Sequence, residues 1–194
     1  MQPDLDHTRP AIVAPAAQPV MDTARLVLRP ARRADAGLLA LQAGDWRVAR
    51  HTRSIPHPLP PGSTDAFIAR AARADRTEDV WVIDGHASGL PEVAGVLGLE
   101  RRGQNVSQVG FWIAPGFWGV GIASEAVEAL VERNPHDAHE IVAEVFQDNP
   151  ASAKVLSHAQ FTYLGEGASY SVARQSRVAC WRYSRVMPMA GKTG

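Results

Sequence analysis

Cysteine is almost absent from this chain of 194 residues, which contains a single one, Cys180. One cysteine cannot form an internal disulfide, so the sequence excludes a secreted disulfide framework and a cysteine-rich zinc site. The alternating residues around Cys180 predict a strand, in which we interpret this thiol as buried and structural. His51, His57 and His86 lack the spacing of metal ligands, and we therefore expect no bound metal.

Long hydrophobic runs and an excess of one charge are also lacking. No apolar stretch reaches the roughly 18 to 20 residues that span a bilayer, and the N-terminus lacks the apolar core of a signal peptide. Lysine plus arginine and aspartate plus glutamate number 20 each, so the formal net charge is zero. This balance argues against broad electrostatic binding to nucleic acid or to an anionic membrane. We expect a cytoplasmic protein that binds neither.

The composition is that of a globular protein, with 45% hydrophobic and 21% charged residues. Residues 1–20 are rich in proline, alanine and glutamine and predict a flexible N-terminal tail. The length suits one domain, which we place at residues 21–188, followed by a short C-terminal tail at 189–194. No internal repeat is present.

Strand-like alternation and helix-like periodicity follow one another along the domain. Asp35 is the predicted cap of the first helix. The pattern has one strand, two helices, a three-stranded meander, and then helix, strand, helix and two strands. It predicts an α+β, or mixed α/β, fold built on one largely antiparallel sheet. The delimited strands are 23–30, 79–84, 92–100, 107–114, 139–146 and 177–186, and the helices are 33–44, 63–74, 119–133 and 149–161.

The segment FWIAPGFWGVGIASEAVEAL, residues 111–130, places Gly119 and Gly121 at the start of a helix. Backbone N–H groups at a helix start lack internal partners, and the helix dipole is positive there. The amides of residues 119–124 are therefore suited to a phosphate or pyrophosphate, although a turn that binds nothing has the same pattern. No Gly-Lys-Ser/Thr follows, which excludes a Walker loop, and the position after a meander argues against a Rossmann site.

Several stretches together resemble the RimJ/RimL-like branch of the GNAT N-acetyltransferases. GFWGVGIASEAV resembles the acetyl-CoA pyrophosphate motif of the family, and NPASAKVLSHAQF resembles its second cofactor motif. TARLVLRPARRADA, VAGVLGLE and VGFWIAP resemble the opening, third and fourth strands. The match runs from about residue 23 to 186 in the order of the family. It implies the GNAT fold, a central twisted and mostly antiparallel sheet flanked by helices, and an acetyl-CoA-dependent N-acetyltransferase.

The resemblance also implies where acetyl-CoA binds. Its pantetheine arm is expected in a V-shaped split between strand 108–114 and strand 140–146, bonded to the backbone around residues 112–114. Its pyrophosphate is expected on the amides of residues 119–124. No metal is implied. The implied cofactor-binding residues are Trp112, Ile113, Ala114, Trp118, Gly119, Val120, Gly121, Ile122, Ala123, Ser124, Asn149 and Ser152.

Acyl transfer to an amine requires a neutral amine, a polarised thioester oxygen and a proton for the leaving thiolate. Many family members supply that proton from a tyrosine, but the matching position here is Leu156. A serine that matches Ser152 is the proposed substitute in this branch; alternatively, Ser152 bonds only the helix backbone or the pantetheine. Glu100 is the predicted base, acting through water, with Glu144 as the alternative. Glu100 is also consistent with a solvated carboxylate at the end of a strand, beside Arg101 and Arg102.

One position departs from the family pattern. A glycine usually precedes the phenylalanine that ends the second motif, and Gln160 stands there before Phe161. If the turn requires a positive φ, Gln160 is strained. His51 and His57 lie in a loop that is able to border an acceptor pocket, but we interpret both as surface histidines.

The expected reaction is transfer of an acetyl group from acetyl-CoA to a primary amine, in a ternary complex. The expected acceptor is an α-amine of a protein, a peptide or a small molecule. Two alternatives stay open: a non-catalytic module that binds acyl-CoA, and an acetyltransferase for polyamines, antibiotics or amino acids. Acetyl-CoA and the amine are the expected partners, and a homodimer is one candidate for the oligomeric state.

Overall fold

The structure, a computed structural model, describes residues 18–103 and 105–188. In this part of the chain, eight strands form one sheet and five α-helices cover its two faces. The strands are β1 (Met21–Asp22), β2 (Val27–Pro30), β3 (Glu78–Asp84), β4 (Gly95–Gly103), β5 (Val106–Ile113), β6 (Glu140–Phe146), β7 (Thr162–Ser171) and β8 (Ser176–Val186). The helices are α1 (Ala36–Ala43), α2 (Trp46–Ala49), α3 (Ser63–Ala71), α4 (Ile122–Arg133) and α5 (Pro150–His158).

The strands are arranged in the order β1-β2-β3-β4-β5-β6-β8-β7. Neighbouring strands are antiparallel except β5 and β6, which run parallel because α4 crosses over between them. The predicted fold class, α+β with a largely antiparallel sheet, is confirmed.

Each face of the sheet carries its own hydrophobic core, because successive side chains of a strand point to opposite faces. In β4, Leu97 and Leu99 belong to the larger core, while Val96 belongs to the smaller core with residues of α1 and α3. The larger core also takes in α4 and α5. The buried residues of α4 follow one another at helical spacing: Ile122, Ala126, Val127, Leu130 and Val131.

Some observed boundaries differ from the predicted ones, and one element is too short to show a periodic pattern. The first predicted strand begins at Val27 rather than at residue 23, α4 begins at Ile122 rather than at 119, and α2 was not predicted. Asp35 occupies the predicted N-cap position of α1, but its side chain makes no capping hydrogen bond to that helix. Its buried carboxylate accepts hydrogen bonds from Arg29 at 2.9 Å and from the Arg32 amide at 2.6 Å. Burial alone would raise the pKa of Asp35, but these bonds hold it below its ordinary value.

The predicted tails lie mostly outside the described residues, which exclude 1–17 and 189–194. The described end of the N-terminal segment contacts β3. The Gln18 side chain donates to the carbonyl of Val80 at 2.6 Å, and the Trp81 indole donates to the carbonyl of Pro19 at 2.7 Å. No helix among the described residues is long and apolar enough to cross a membrane.

The sheet opens between β5 and β6. The two strands pair only at residues 106–109 with 140–143, although β5 continues to Ile113 and β6 to Phe146. Beyond the last pair, Val109 with Ala143, each strand leads into a turn and then a helix, so the first turns of α4 and α5 lie at the mouth of the opening. Backbone groups of β5 that face the gap are therefore free of strand partners.

Candidate active site

A cavity of about 420 Å³ lies where β5 and β6 separate. We call it the split cavity. It brings together residues from β5, the turn before α4, and the first turns of α4 and α5, which are far apart in the sequence. The sequence-predicted residues that line it are Trp112, Ile113, Trp118, Gly119, Gly121, Ile122, Ala123, Ser124, Asn149 and Ser152.

Two of the predicted cofactor residues do not line the split cavity. Ala114 is fully buried, and its amide donates to the carbonyl of Ala94 at 2.9 Å, so this amide is already used within the sheet. Val120 is half-exposed, and its carbonyl accepts a hydrogen bond from the Arg25 guanidinium at 3.1 Å.

The turn before α4 has the backbone that the two glycines predict. Gly119 and Gly121 have φ values of 79° and 84°, in the left-handed region that glycine adopts without steric cost. The amide of Glu125 is the first in α4 to bond the backbone, at 3.1 Å from the Gly121 carbonyl. The preceding amides of the first turn have no intrahelical partner. Free amides at a helix start suit an anion, and Gly119, Gly121 and residues 122–124 line the split cavity.

An acidic residue in the first turn of α4 is neutralised locally. The Glu125 carboxylate accepts from Arg25 Nε at 2.8 Å and from the Thr23 hydroxyl at 2.6 Å. Burial alone would raise the pKa of Glu125, but these hydrogen bonds and the charge of Arg25 lower it. The Glu125 charge is thus paired with Arg25 of the β1–β2 loop, which reduces its repulsion of an anion at the helix N-terminus.

Trp118 closes the cavity beside the glycine turn. Its indole Nε1 donates to the Ile113 carbonyl at 2.7 Å, which fixes the ring across the end of β5. The side chain is about half-exposed, and the Arg47 guanidinium carbon lies 6.0 Å from the ring centroid. An aromatic wall and a cation therefore stand together at the cavity mouth.

The start of α5 contributes the other predicted residues. The Asn149 Oδ1 caps the helix by accepting the Ser152 amide at 3.2 Å, and Pro150 occupies the first helical position, where its lack of an N–H costs no hydrogen bond. Ser152 lines the cavity in the first turn. Leu156, at the position of the family's tyrosine, is fully buried in the larger core and does not line the cavity. This position therefore offers no proton donor here.

The predicted base, Glu100, and its alternative, Glu144, do not line the split cavity. Glu100 faces Gln108 across the β4–β5 ladder, at a level where β5 is still paired with β6. Its carboxylate lies 3.3 Å from the Arg102 guanidinium and 3.9 Å from that of Arg53. Arg53 also lies 3.8 Å from Glu144, so one guanidinium links both carboxylates.

His51 is the titratable side chain that the sequence interpretation misplaced. It lines the split cavity with only 20% of its side chain exposed, so the prediction of a surface histidine is wrong for His51. His57 is exposed, as predicted, and His86 is exposed as well. Burial lowers the pKa of His51, Arg50 adds to this effect, and Asp148 opposes it.

Three further basic side chains line the cavity: Arg47, Lys154 and His158. Lys154 and His158 are four residues apart on α5 and share a face, so the helical period would have identified them as neighbours. Arg47 lies on the four-residue helix α2, which is too short to show a period. No group of three or more metal-binding side chains occurs within residues 18–103 and 105–188.

The profile of the acetyltransferase (GNAT) domain matches residues 25–162 of the chain. The chain belongs to the GNAT acetyltransferase family. The family and the class of enzyme predicted from the motifs are thereby confirmed. No curated protein sequence matches the chain significantly.

Solved structures of GNAT enzymes have the same fold. RimL, a ribosomal L7/L12 α-N-protein acetyltransferase in complex with coenzyme A, is 20% identical, with a TM-score of 0.72 over 87% of this chain and 98% of that one. RimJ of Mycobacterium smegmatis is 20% identical, with a TM-score of 0.73 over 88% of each chain. Spermidine N-acetyltransferase of Vibrio cholerae, with CoA and spermine, is 15% identical, with a TM-score of 0.72 over 85% and 97%. Identities this low establish the fold alone.

Proposed function

We propose that this GNAT enzyme transfers the acetyl group of acetyl-CoA to the α-amine of a peptide, a protein or a small molecule. The observation that supports it is the continuity of one cavity from the opened β5–β6 edge to the free amides of the glycine turn. The opened edge suits the amide groups of pantetheine, and the turn suits a pyrophosphate. A single extended ligand with both features fits the two ends.

The donor side rests on residues of this chain. The amides of the first turn of α4 would hold the pyrophosphate, and the cationic side chains of Arg47 and Lys154 would add attraction for further phosphate. RimL, RimJ and the spermidine N-acetyltransferase were each solved with CoA or a CoA derivative. Their common ligand supports acetyl-CoA as the acetyl donor here.

Ser152 is the proposed acid for the departing thiolate. It lies in the cavity, in the first turn of a helix whose amides favour negative charge nearby. Within the described residues, its hydroxyl makes no hydrogen bond to the protein, so it is available to a ligand. The role of Glu100 as base stays a prediction.

The choice of an α-amine rests on acid–base chemistry. A free α-amine has a pKa near 8 and a lysine amine near 10.4, so the α-amine is roughly a hundredfold richer in its neutral form at pH 7. The zero net charge offers no general attraction to polycations. RimL is described as an α-N-protein acetyltransferase, whereas the Vibrio cholerae relative acetylates spermidine, so the fold accommodates both kinds of acceptor.

Release of free CoA from acetyl-CoA tests the proposal with two matched peptides. One peptide has a free N-terminus and no lysine, and the other has a blocked N-terminus and one lysine. We expect faster release with the free N-terminus and a kcat/KM that levels off near pH 8 to 9, where the α-amine becomes neutral. Faster acetylation of the lysine peptide would overturn the α-amine assignment. Tight binding of acetyl-CoA without release for any amine would instead indicate a non-catalytic module.

A further inference from the structure

A histidine and an aspartate meet beside the proposed acid. His51, after α2, and Asp148, before α5, are 97 residues apart in the sequence, yet His51 Nδ1 lies 3.6 Å from Asp148 Oδ1. Asp148 directly precedes Asn149, the residue that caps α5. His51, Asn149 and Ser152 all line the split cavity. The imidazole therefore borders the same space as the group proposed to protonate the thiolate.

The segment that carries His51, residues 50–53, is held from two directions. The Asp148 carboxylate lies 2.8 Å from the guanidinium of Arg50 and 2.8 Å from that of Arg174. Arg174 Nε also donates to the Arg50 carbonyl at 2.7 Å, and the amide of Val172 donates to the Arg53 carbonyl at 3.0 Å. These contacts tie the segment to the loop before α5 and to the β7–β8 turn. Such a fixed position suits a side chain that exchanges protons.

The charges around His51 favour its neutral form. Burial and the cations Arg50 and Arg174 lower the pKa of His51, while Asp148 raises it, and the net shift is downward. Arg47 and Lys154 line the same cavity and add positive charge. The Nδ1 of His51 is buried and makes no hydrogen bond within the described residues. A neutral imidazole is the form that accepts a proton at neutral pH.

We propose that His51 is the general base of the transfer reaction and that Asp148 is its positioning residue. This inference rests on the proposed acetyl transfer. His51 takes one proton from the acceptor ammonium, and the neutral amine forms the C–N bond with the acetyl carbon as the C–S bond breaks. The second proton of the amine nitrogen passes to Ser152 as the Ser152 hydroxyl gives its own proton to the sulfur, so the hydroxyl is regenerated. The products are the acetamide, CoA thiol and one proton, which His51 releases to water.

The alternative bases are placed less favourably. Glu100 and Glu144 share the Arg53 guanidinium, and neither lines the split cavity. Both carboxylates therefore contact a guanidinium outside the cavity and do not border the space where the amine would react. Asp148, by contrast, assists His51 as a base, because its negative charge stabilises the imidazolium that forms when His51 takes the proton.

His51→Gln tests the inference with an α-amine acceptor. At pH 7 we expect kcat/KM to fall about a hundredfold, the usual scale for loss of a general base, while acetyl-CoA affinity stays within about twofold. At pH 9.5 the acceptor is already neutral in solution, and the deficit should shrink at least tenfold. A deficit that is the same at all pH values would indicate a structural role and would overturn the proposal.

Matched variants separate the candidate groups. Asp148→Asn should lower kcat/KM less than His51→Gln does, by about tenfold at pH 7, and this loss should also shrink at high pH. His86→Gln, an exposed histidine in the β3–β4 turn, should behave as wild type. A pH-dependent loss in Glu100→Gln, with His51→Gln unaffected, would return the base role to Glu100. If the wild-type protein acetylates no amine, the proposed function is wrong, and the assignment of His51 as its base is wrong as well.

A measurement on the wild type avoids reliance on folding of the variant. Nitrogen NMR of labelled histidine should find the His51 ring neutral at pH 7, with a titration that shifts when an acceptor amine binds in the presence of CoA. A His51 ring that is protonated at pH 7 would contradict the proposal.

Discussion

The Asn149 side chain accepts the backbone N–H of Ser152 at 3.2 Å, so the cap of α5 holds in place the residue proposed to protonate the thiolate. The cap uses the amide of Ser152 and leaves its hydroxyl on the cavity side. A substitution that removes only the hydroxyl therefore separates chemistry from helix capping.

Ser152→Ala is expected to lower kcat by one to two orders of magnitude, because the thiolate then leaves without a positioned acid. Acetyl-CoA affinity should stay within about twofold, since the amides of the first turn of α4 and the Asn149 cap are unchanged. Steady-state CoA release gives kcat, and calorimetry with acetyl-CoA gives the affinity.

Ser157→Ala is the matched control, because this serine lies on the same helix and its hydroxyl donates to the Ala153 carbonyl at 3.1 Å. It should leave kcat unchanged. If Ser152→Ala also keeps the wild-type kcat, the thiolate is protonated by water and the acid assignment is wrong.

Replacing Gly119 with alanine is expected to weaken acetyl-CoA binding at least tenfold. Gly119 has a φ of 79°, and a Cβ there would meet no protein atom within 4 Å. The loss of affinity would therefore come from a methyl group in the phosphate approach and from backbone that leaves the left-handed region. Isothermal titration with acetyl-CoA measures it.

Gly89→Ala makes the same change at a glycine with a φ of 73° in the turn before β4, also with no atom within 4 Å. Its backbone cost, of order 1 kcal/mol, should match that of Gly119→Ala. Its acetyl-CoA affinity should equal that of wild type. Equal affinities in all three proteins would remove the phosphate role of the glycine turn.

Features of one local segment could be predicted from the sequence, and features that depend on distant contacts could not. The buried face of α4 follows from helical spacing, and the cap of α5 follows from Asn149 before Pro150. The placement of His51 depends on Asp148 and Arg174, which come from the other half of the chain. No local pattern near residue 51 encodes that contact.

The position of the predicted base, Glu100, likewise depends on distant contacts that the local sequence does not reveal. Glu100 lies at the end of the buried run of β4, as the pattern indicates. Whether it borders the cavity depends on where β5 and β6 stop pairing, and Val109 with Ala143 is the last pair. The divergence point is a property of the whole sheet, so alternation within one strand does not reveal it.

Gln160→Gly is expected to stabilise the fold by up to about 1 kcal/mol. Gln160 has a φ of 59° after α5, where a residue with a Cβ is strained, as the departure from the family pattern suggested. Relief of that strain exceeds the extra chain entropy that glycine gains in the unfolded state. Urea unfolding measures the free energy.

Gln42→Gly makes the same exchange inside α1 and should destabilise the fold by about 1 kcal/mol, because glycine is a poor helix former. A higher free energy of unfolding for Gln160→Gly and a lower one for Gln42→Gly would support strain at Gln160. A loss of stability in Gln160→Gly as large as that in Gln42→Gly would contradict it.

The stability of the fold is expected to depend on Asp79 in acid. Its buried carboxylate accepts from His136 Nε2 at 2.8 Å, and the other ring nitrogen of His136 lies 2.9 Å from the Ser107 hydroxyl. Burial alone would raise the pKa of Asp79, but the hydrogen bonds from His136 and Arg76 lower it to about 2. Because the pKa is lower in the folded state than its ordinary value of 3.8, the ionised carboxylate stabilises the fold.

This contribution, about 2 kcal/mol for a shift of this size, is fully present above about pH 5 and is lost as the pH falls from there to about 2. Asp79→Asn removes the titrating group, so the free energy of unfolding should fall less steeply over this interval, and at pH 7 the variant should be less stable by about 3 kcal/mol. Urea unfolding at several pH values between 2 and 7 gives both results.

Asp75→Asn is the control: the pKa of Asp75 is also about 2, but this carboxylate is exposed beside Arg73, where solvent screens the pair. It should leave the free energy of unfolding almost unchanged at every pH, and an equal acid dependence in wild type and Asp79→Asn would show that the buried carboxylate does not govern acid stability.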